Sequence, residues 1–308
     1  MVNRVIIRTK VLQIVYSYYQ RDEHVLSVAE NELAFSLQKT YDLYHYLFLL
    51  IPFLTDLEQK RVDLRRHRHL ATDAEKAPSL RFINNRFSKQ LLENQSLQKF
   101  VGEKSWFWDQ DDHFGINILN KIVASELYSE YMTSEDSYES DKEFWRKALK
   151  SIVLLDLDLE EMLEDKSIYW NDDLDLVGTF VLKTIRKWTD NCSEQDEPLM
   201  PMFKDEEDRL FAYNLLHQTI IDASANKQLI EAHIKNWDVD RLANMDLYVM
   251  QMAIAEMTHF PMIPINVTLN EYIDLAKYYS TPKSGVFING TLDSIVSDLK
   301  KEQVLTKV

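Results

Sequence analysis

Two arginines one helical turn apart, Arg4 and Arg8, are the first residues whose type and spacing point to chemistry. Lys10 and Arg21 follow them, and no acid occurs among residues 1–21. Guanidinium groups at that spacing project together from one face of a helix and can neutralise phosphates. The two positions also border an apolar stripe made by Ile7, Val11, Ile14, Val15 and Tyr18. An equally weighted reading is therefore a pair of core-edge arginines bonded to carboxylates. Tyr16 falls off the stripe, which suits a partner contact or a partly exposed tyrosine.

Other reactive side chains lack the company their chemistry requires. There is no HExxH, and His67 and His69 flank Arg68 in a basic run, a poor place to collect a divalent metal. Cys192 stands in an acidic stretch with no activating base near it in sequence. Asp172, Asp173 and Asp175 faintly resemble a magnesium–diphosphate site of helical enzymes, but no second aspartate motif accompanies them, and acids at a helix start favour its dipole. Nucleotide-binding glycine loops are missing too. The 308 residues hold 5 glycines, and neither GxGxxG nor GxxxxGK[ST] occurs. No catalytic constellation and no cofactor site are expected.

The elements that must carry the arginines are helical. Few glycines and 7 prolines favour long helices over turns. The apolar period predicts helices over 4–20, over 29–69 with Pro52 as a break or kink, and over 115–132, 142–165 and 171–188. It predicts five more at 206–223, 227–236, 240–259, 269–279 and 284–300. The 240–259 segment is apolar nearly all round, as a central bundle helix is, and Asp246 lies among its apolar residues and needs a partner, within the fold or on another protein. Thr268 and Glu271 have capping-box spacing. Asn289 suggests a fixed hydrogen bond to a loop, and Gly290 a close backbone approach.

The net charge of −15 argues against general nucleic-acid binding, but it is unevenly spread. Residues 58–89 carry nine bases against four acids, and residues 90–205 sum to −14. The basic run 60–69 suits a helix C-terminus better than RNA, and 81–89, which interleaves Arg81, Phe82, Arg86 and Phe87, gives only a weak stacking signal. The single cysteine fits a reducing compartment. The start lacks a secretory h-region, and the most apolar run, 43–54, is short for a membrane span. A cytoplasmic protein with no membrane partner is expected.

The segment 240–295 resembles the NusB family of bacterial transcription antitermination factors. It carries an apolar helix, a Pro-containing passage, LNEYIDLAK from Leu269 to Lys277, and FINGTLD from Phe287 to Asp293. The start resembles the family as well, with Arg4-x-x-x-Arg8 followed by VLQIVYS. The resemblance implies an all-α, non-enzymatic protein built of helical bundles. Its implied partners are boxA-like single-stranded RNA, the ribosomal protein NusE and the transcription elongation complex. On that reading Arg4 and Arg8, with neighbouring Lys10, bind RNA together with Tyr279, Lys283 and Phe287. Tyr16 and Asp246 face NusE. The departures are a thin arginine motif, with Val5, Ile6 and Ile7 inside it, and a middle of about 30–205 without a counterpart. The implied organisation is an N-terminal helix with the arginine motif (1–28), a helical insertion or extended N-terminal bundle (29–205), and a C-terminal bundle (206–308). The rivals are a helical adaptor that does not bind RNA and, far below it, a magnesium-dependent diphosphate enzyme.

Overall fold

The computed structural model describes residues 1–67, 72, 76–104, 108, 112–234 and 242–305. Among these, every regular element is helical apart from one isolated bridge between Val2 and Phe203. The fold is all-α. Two compact units form, one from Met1 and Gln38–Met202, the other from Val2–Leu37 and Phe203–Val308.

The second unit holds the arginine pair. It contains α1 (Arg4–Gln20), the first residues of α2 (Leu26–Arg66), α10 (Glu206–Ile221), α11 (Ala223–His233), α12 (Asn244–His259), α13 (Ile265–Tyr279) and α14 (Ser284–Lys301). α1 begins where the Asn3 side chain accepts the Ile6 N–H at 3.0 Å. α12 packs against α1, α10, α11, α13 and α14, so its all-round apolar surface has a neighbour on each side. Val249, Met250, Met252, Ala253, Ile254 and Met257 are buried there. The start of the segment expected at 240 and the end of the one expected at 236 lie outside the described residues.

Two local expectations in this unit are corrected. Thr268 and Glu271 do not cap a helix, because Pro264 opens α13 one turn earlier. Thr268 is instead buried mid-helix and donates its hydroxyl to Glu256. Nothing lies within 4 Å of a Cβ built on Gly290, so no backbone approaches it. Asn289 bonds no loop. Its amide donates to Asp293 one turn on, at 3.2 Å.

The first unit is built from the rest of α2 with α3 (Arg86–Glu93), α4 (Gln95–Lys104), α5 (Asp112–Val123), α6 (Glu126–Thr133), α7 (Tyr138–Ser151), α8 (Leu157–Lys166) and α9 (Leu174–Ile185). α2 runs through Pro52 without a break. The ring removes the N–H that would reach the Phe48 carbonyl, and burial of residues 46–55 on all sides holds the helix despite that loss. The single helices expected over 115–132 and 142–165 are each divided. Ser125 caps α6 by accepting the Tyr128 N–H, and Asp156 caps α8 by accepting the Asp158 N–H. Gly115 and Gly178 are where elements meet closely. A Cβ on Gly115 would stand 2.6 Å from Phe53 and Leu57, and one on Gly178 would stand 2.8 Å from Leu154. Phe82 and Phe87 are core residues, and Arg81 and Arg86 are taken up by Ser134 and Asp136, so 81–89 is no stacking strip.

Residues 190–202 contain no helix and are fastened to the rest of the first unit. Gln90 donates to the Thr189 and Cys192 carbonyls, and Asn94 donates to the Asp196 carbonyl. In the basic run, Lys60 pairs with Asp56, while Arg61 and Arg65 flank buried Glu58. Arg68 and His69 lie outside the described residues. Among the described residues no helix is long and apolar enough to cross a membrane.

Candidate nucleic-acid interface

The expected RNA-contacting residues all fall in the second unit, but they do not form one exposed set. Arg4 stands at the start of α1. Its guanidinium binds Asp208 at 3.0 Å and Glu207 on α10, and lies 5.1 Å from the centre of the Phe211 ring. Its side chain stays 31% exposed, so a phosphate can compete for it.

Arg8 is in a different situation. Its side chain is 4% exposed. Its Nε and one terminal nitrogen grip both oxygens of Glu256 at 2.7 and 2.8 Å, and the other terminal nitrogen reaches Glu271 at 3.2 Å. Thr268 and Tyr272 also donate to Glu256, at 2.8 and 3.0 Å. Burial alone would lower the Arg8 pKa, and the Glu256 hydrogen bonds together with the surrounding charges of Tyr272, Glu256 and Glu271 outweigh that and hold it above its ordinary value. Burial, followed by the adjoining Glu256 charge, pushes the Tyr272 phenol well above its own. Arg8 therefore ties α1 to α12 and α13, and its donors are spent on carboxylates. Lys10 is fully buried. Both side chains are buried, on different sides of α1.

Tyr279, Lys283 and Phe287 lie along the passage from α13 to α14, with Tyr279 ending α13 and Lys283 and Phe287 lining one cavity. Gln13 of α1 donates to the Tyr279 hydroxyl at 3.2 Å. Tyr278 is 68% exposed, and its ring meets Tyr279 edge-on at 4.9 Å. Lys283 is exposed at the N-cap position of α14, whose first turn carries no acid. Phe287 is half-buried one turn further on. Nine residues of α1 separate Arg4 from Gln13, about 14 Å of helix. The same nine residues turn through about half a circle, so Arg4 and Gln13 leave α1 on opposite sides. Tyr278 is the residue that periodicity missed, and the doubled tyrosine was its signal.

Tyr16 is 41% exposed and meets Tyr248 of α12 edge-on at 6.3 Å. Tyr248 stacks on Tyr19 at 5.1 Å, and burial pushes the Tyr19 hydroxyl up to about 12. The Tyr16-x-x-Tyr19 spacing was the available signal for this group. Asp246 finds its partners inside the fold: Ser280 donates to one oxygen, and Ser284 to the other at 2.9 Å. The apolar setting that suggested a protein partner for Asp246 is thereby accounted for. In the first unit Asp173 turns inward and accepts the Thr40 hydroxyl at 2.6 Å, so Asp172, Asp173 and Asp175 do not face one ligand.

Known proteins resemble the chain over this bundle. The family model described as "NusB family" matches residues 179–297. The transcription antitermination protein NusB of Salinibacter ruber is 36% identical over 132 residues, which cover 41% of this chain and 82% of that protein. The protein of the same name from Geotalea daltonii is 36% identical over 138 residues, 45% of this chain and 92% of its own length. That of Bacillus subtilis is 36% identical over 91 residues, 30% of this chain and 70% of its own. No solved structure matches the chain. The family match stops short of α1, yet the fold packs α1 against α10 and α12 inside the matched bundle. With most of each relative's length aligned at this identity, the chain belongs to the NusB family.

Proposed function

We propose that this protein is a non-enzymatic transcription antitermination factor of the cytoplasm. It binds boxA-like single-stranded RNA together with the NusE ribosomal protein, within the transcription elongation complex that makes ribosomal RNA. The observation that carries the reading is the exposed Lys283, which lines one cavity with Phe287 at a helix start with no acid in its first turn, just after the Tyr278–Tyr279 pair that ends α13. A cation next to stackable rings is what a single strand requires, because phosphate and base are met at once. Arg4, partly exposed at the start of α1, offers a second cation to the strand, and Arg8 holds that helix in place. NusE docks on the tyrosine face around Tyr16.

Fluorescence anisotropy of a labelled boxA-like RNA, titrated over a range of salt with and without NusE, tests this. Binding is expected to tighten with NusE. Lys283→Ala should flatten the slope of log affinity against log salt by about 0.7, the share of one phosphate on a single strand. Capture of NusE with no RNA signal at any salt would refute RNA binding and leave a protein adaptor.

A further inference from the structure

We propose that the cavity between the starts of α12 and α14 is a base pocket that selects guanine from a bound RNA strand. The proposal rests on the single-stranded RNA reading above and deepens it. The cavity holds about 300 Å³ and is lined by Leu242, Ala243, Asp246, Lys283, Ser284 and Phe287. Leu242, Ala243 and Phe287 give it apolar walls, which suit the faces of a flat ring. Asp246 is the polar group at its base. Ser280 and Ser284 donate one hydrogen bond to each of its oxygens, which fixes the carboxylate plane. An ionised carboxylate accepts about four hydrogen bonds, so each oxygen keeps capacity for a ligand.

The chemistry of that wall decides which base fits. Guanine presents N1–H and N2–H side by side, and the pair matches the two oxygens of one carboxylate. Cytosine and adenine each present a single amino group beside a ring nitrogen that repels the second oxygen. Uracil presents one N–H between two carbonyls. A site with a buried acceptor rejects a ligand that leaves it unanswered, because the cost of burying that acceptor is then unrecovered. Lys283 separates the nucleotide from other occupants. An exposed ammonium at the mouth attracts the phosphate attached to the base, and it opposes entry of an arginine or lysine from a protein.

The test uses the full-length protein and twelve-nucleotide RNAs that are uridine throughout except for one central residue. Guanosine, inosine, adenosine or uridine occupies that place, and binding is read by anisotropy at one salt concentration. The wild-type protein should bind the guanosine strand about tenfold or more tightly than the inosine strand, which lacks only the N2 amino group. Asp246→Asn keeps acceptor and volume, and should reduce that ratio to near one. The inosine comparison needs no variant, so it stands even if Asp246→Asn misfolds. Equal affinity for all four strands would overturn the pocket while leaving RNA binding intact. Binding neither to any of these strands nor to boxA-like RNA would overturn the RNA reading itself. Discrimination that survives in folded Asp246→Asn would place guanine recognition elsewhere. Guanosine monophosphate competing at the affinity of the strand would make the cavity a free-nucleotide site and overturn the assignment to RNA.

Discussion

The two units solve the problem of a helical interior in different ways. Residues 38–202 use large rings: Tyr44, Phe48, Phe82, Phe87, Trp108, Trp145 and Trp188 are all buried there. Some indoles find carbonyls, as when Trp108 donates to Tyr46 and Trp170 to Lys39, while the buried Trp145 N–H has no hydrogen-bond partner among the described residues. The bundle of residues 2–37 and 203–308 is filled by aliphatic side chains and methionines, and it encloses an arginine on a carboxylate. In the first unit, shape is specified by packing that admits no added methyl at Gly115 or Gly178. In the second it is specified by a charge pair that tolerates no missing partner. The comparison teaches that burial, rather than residue type, separates a binding arginine from a structural one. Arg4 and Arg8 differ by a single helical turn and in nearly everything else.

The sharpest way to break that comparison is Arg8→Met. It leaves the Glu256 charge enclosed without its main partner, and the bundle should lose about 3–5 kcal/mol. Arg4→Ala, a half-exposed pair, should cost under about 1 kcal/mol. Five of the six tryptophans lie in residues 38–202, so tryptophan fluorescence follows that unit and far-ultraviolet circular dichroism the whole chain. Urea melts read by both signals should place the Arg8→Met loss in the dichroism alone, and equal loss for both arginines would contradict the burial argument.

Gly178→Ala should destabilise the first unit by about 1–3 kcal/mol through its clash with Leu154. That loss should appear in the fluorescence melt. Gly290→Ala, in open space on α14, should instead stabilise the bundle by up to about 1 kcal/mol. A gain at both glycines would mean the two interiors are equally forgiving.

The smallest expected effect is a pH dependence confined to the first unit. Burial lowers the His45 pKa below its ordinary 6.5, against the opposing hydrogen bond to the Tyr41 carbonyl. The unfolded chain then takes up the proton first. The stabilising contribution is complete above 6.5 and drains away as pH falls through the folded value. Melts of wild type and His45→Gln between pH 7.5 and 5 should diverge below 6.5, with the wild type losing more. Parallel curves would remove His45 from the account.

Much of the fold was legible in the sequence because periodicity survives where helices are long. α1 was bounded from its apolar stripe, and the five helices of the C-terminal bundle appeared in order. Short breaks were not legible: Ala124–Ser125 divides α5 from α6, and residues 152–156, which include a 3-10 turn, divide α7 from α8. Pro52 misled in the other direction, since its cost is local and the burial that outweighs it comes from distant chain. At the candidate site, Tyr279, Lys283 and Phe287 came from family resemblance; Lys283 and Phe287 line one cavity, while Tyr279 meets Gln13 and Tyr278. The burial of Arg8 and Lys10 was undecidable on a helical wheel, because Glu256 and Glu271 answer Arg8 from far along the chain. Asp246 was left open between a partner in the fold and one on another protein, because Ser280 and Ser284 stand 34 and 38 residues away.

The contact between Arg8 and Glu256 spans 248 residues, which has a consequence for how the protein is made. α1 leaves the ribosome first, with Ile7, Val11, Ile14 and Val15 facing outward and no α10 or α12 yet in existence to cover them. At about 5–20 residues per second, roughly 10–50 s pass before the glutamate is synthesised. Throughout that interval the first helix is a bare amphipathic segment, the form that chaperones hold and that aggregates recruit. The intervening unit is synthesised whole during the wait, and the bundle becomes the last part of the molecule able to close.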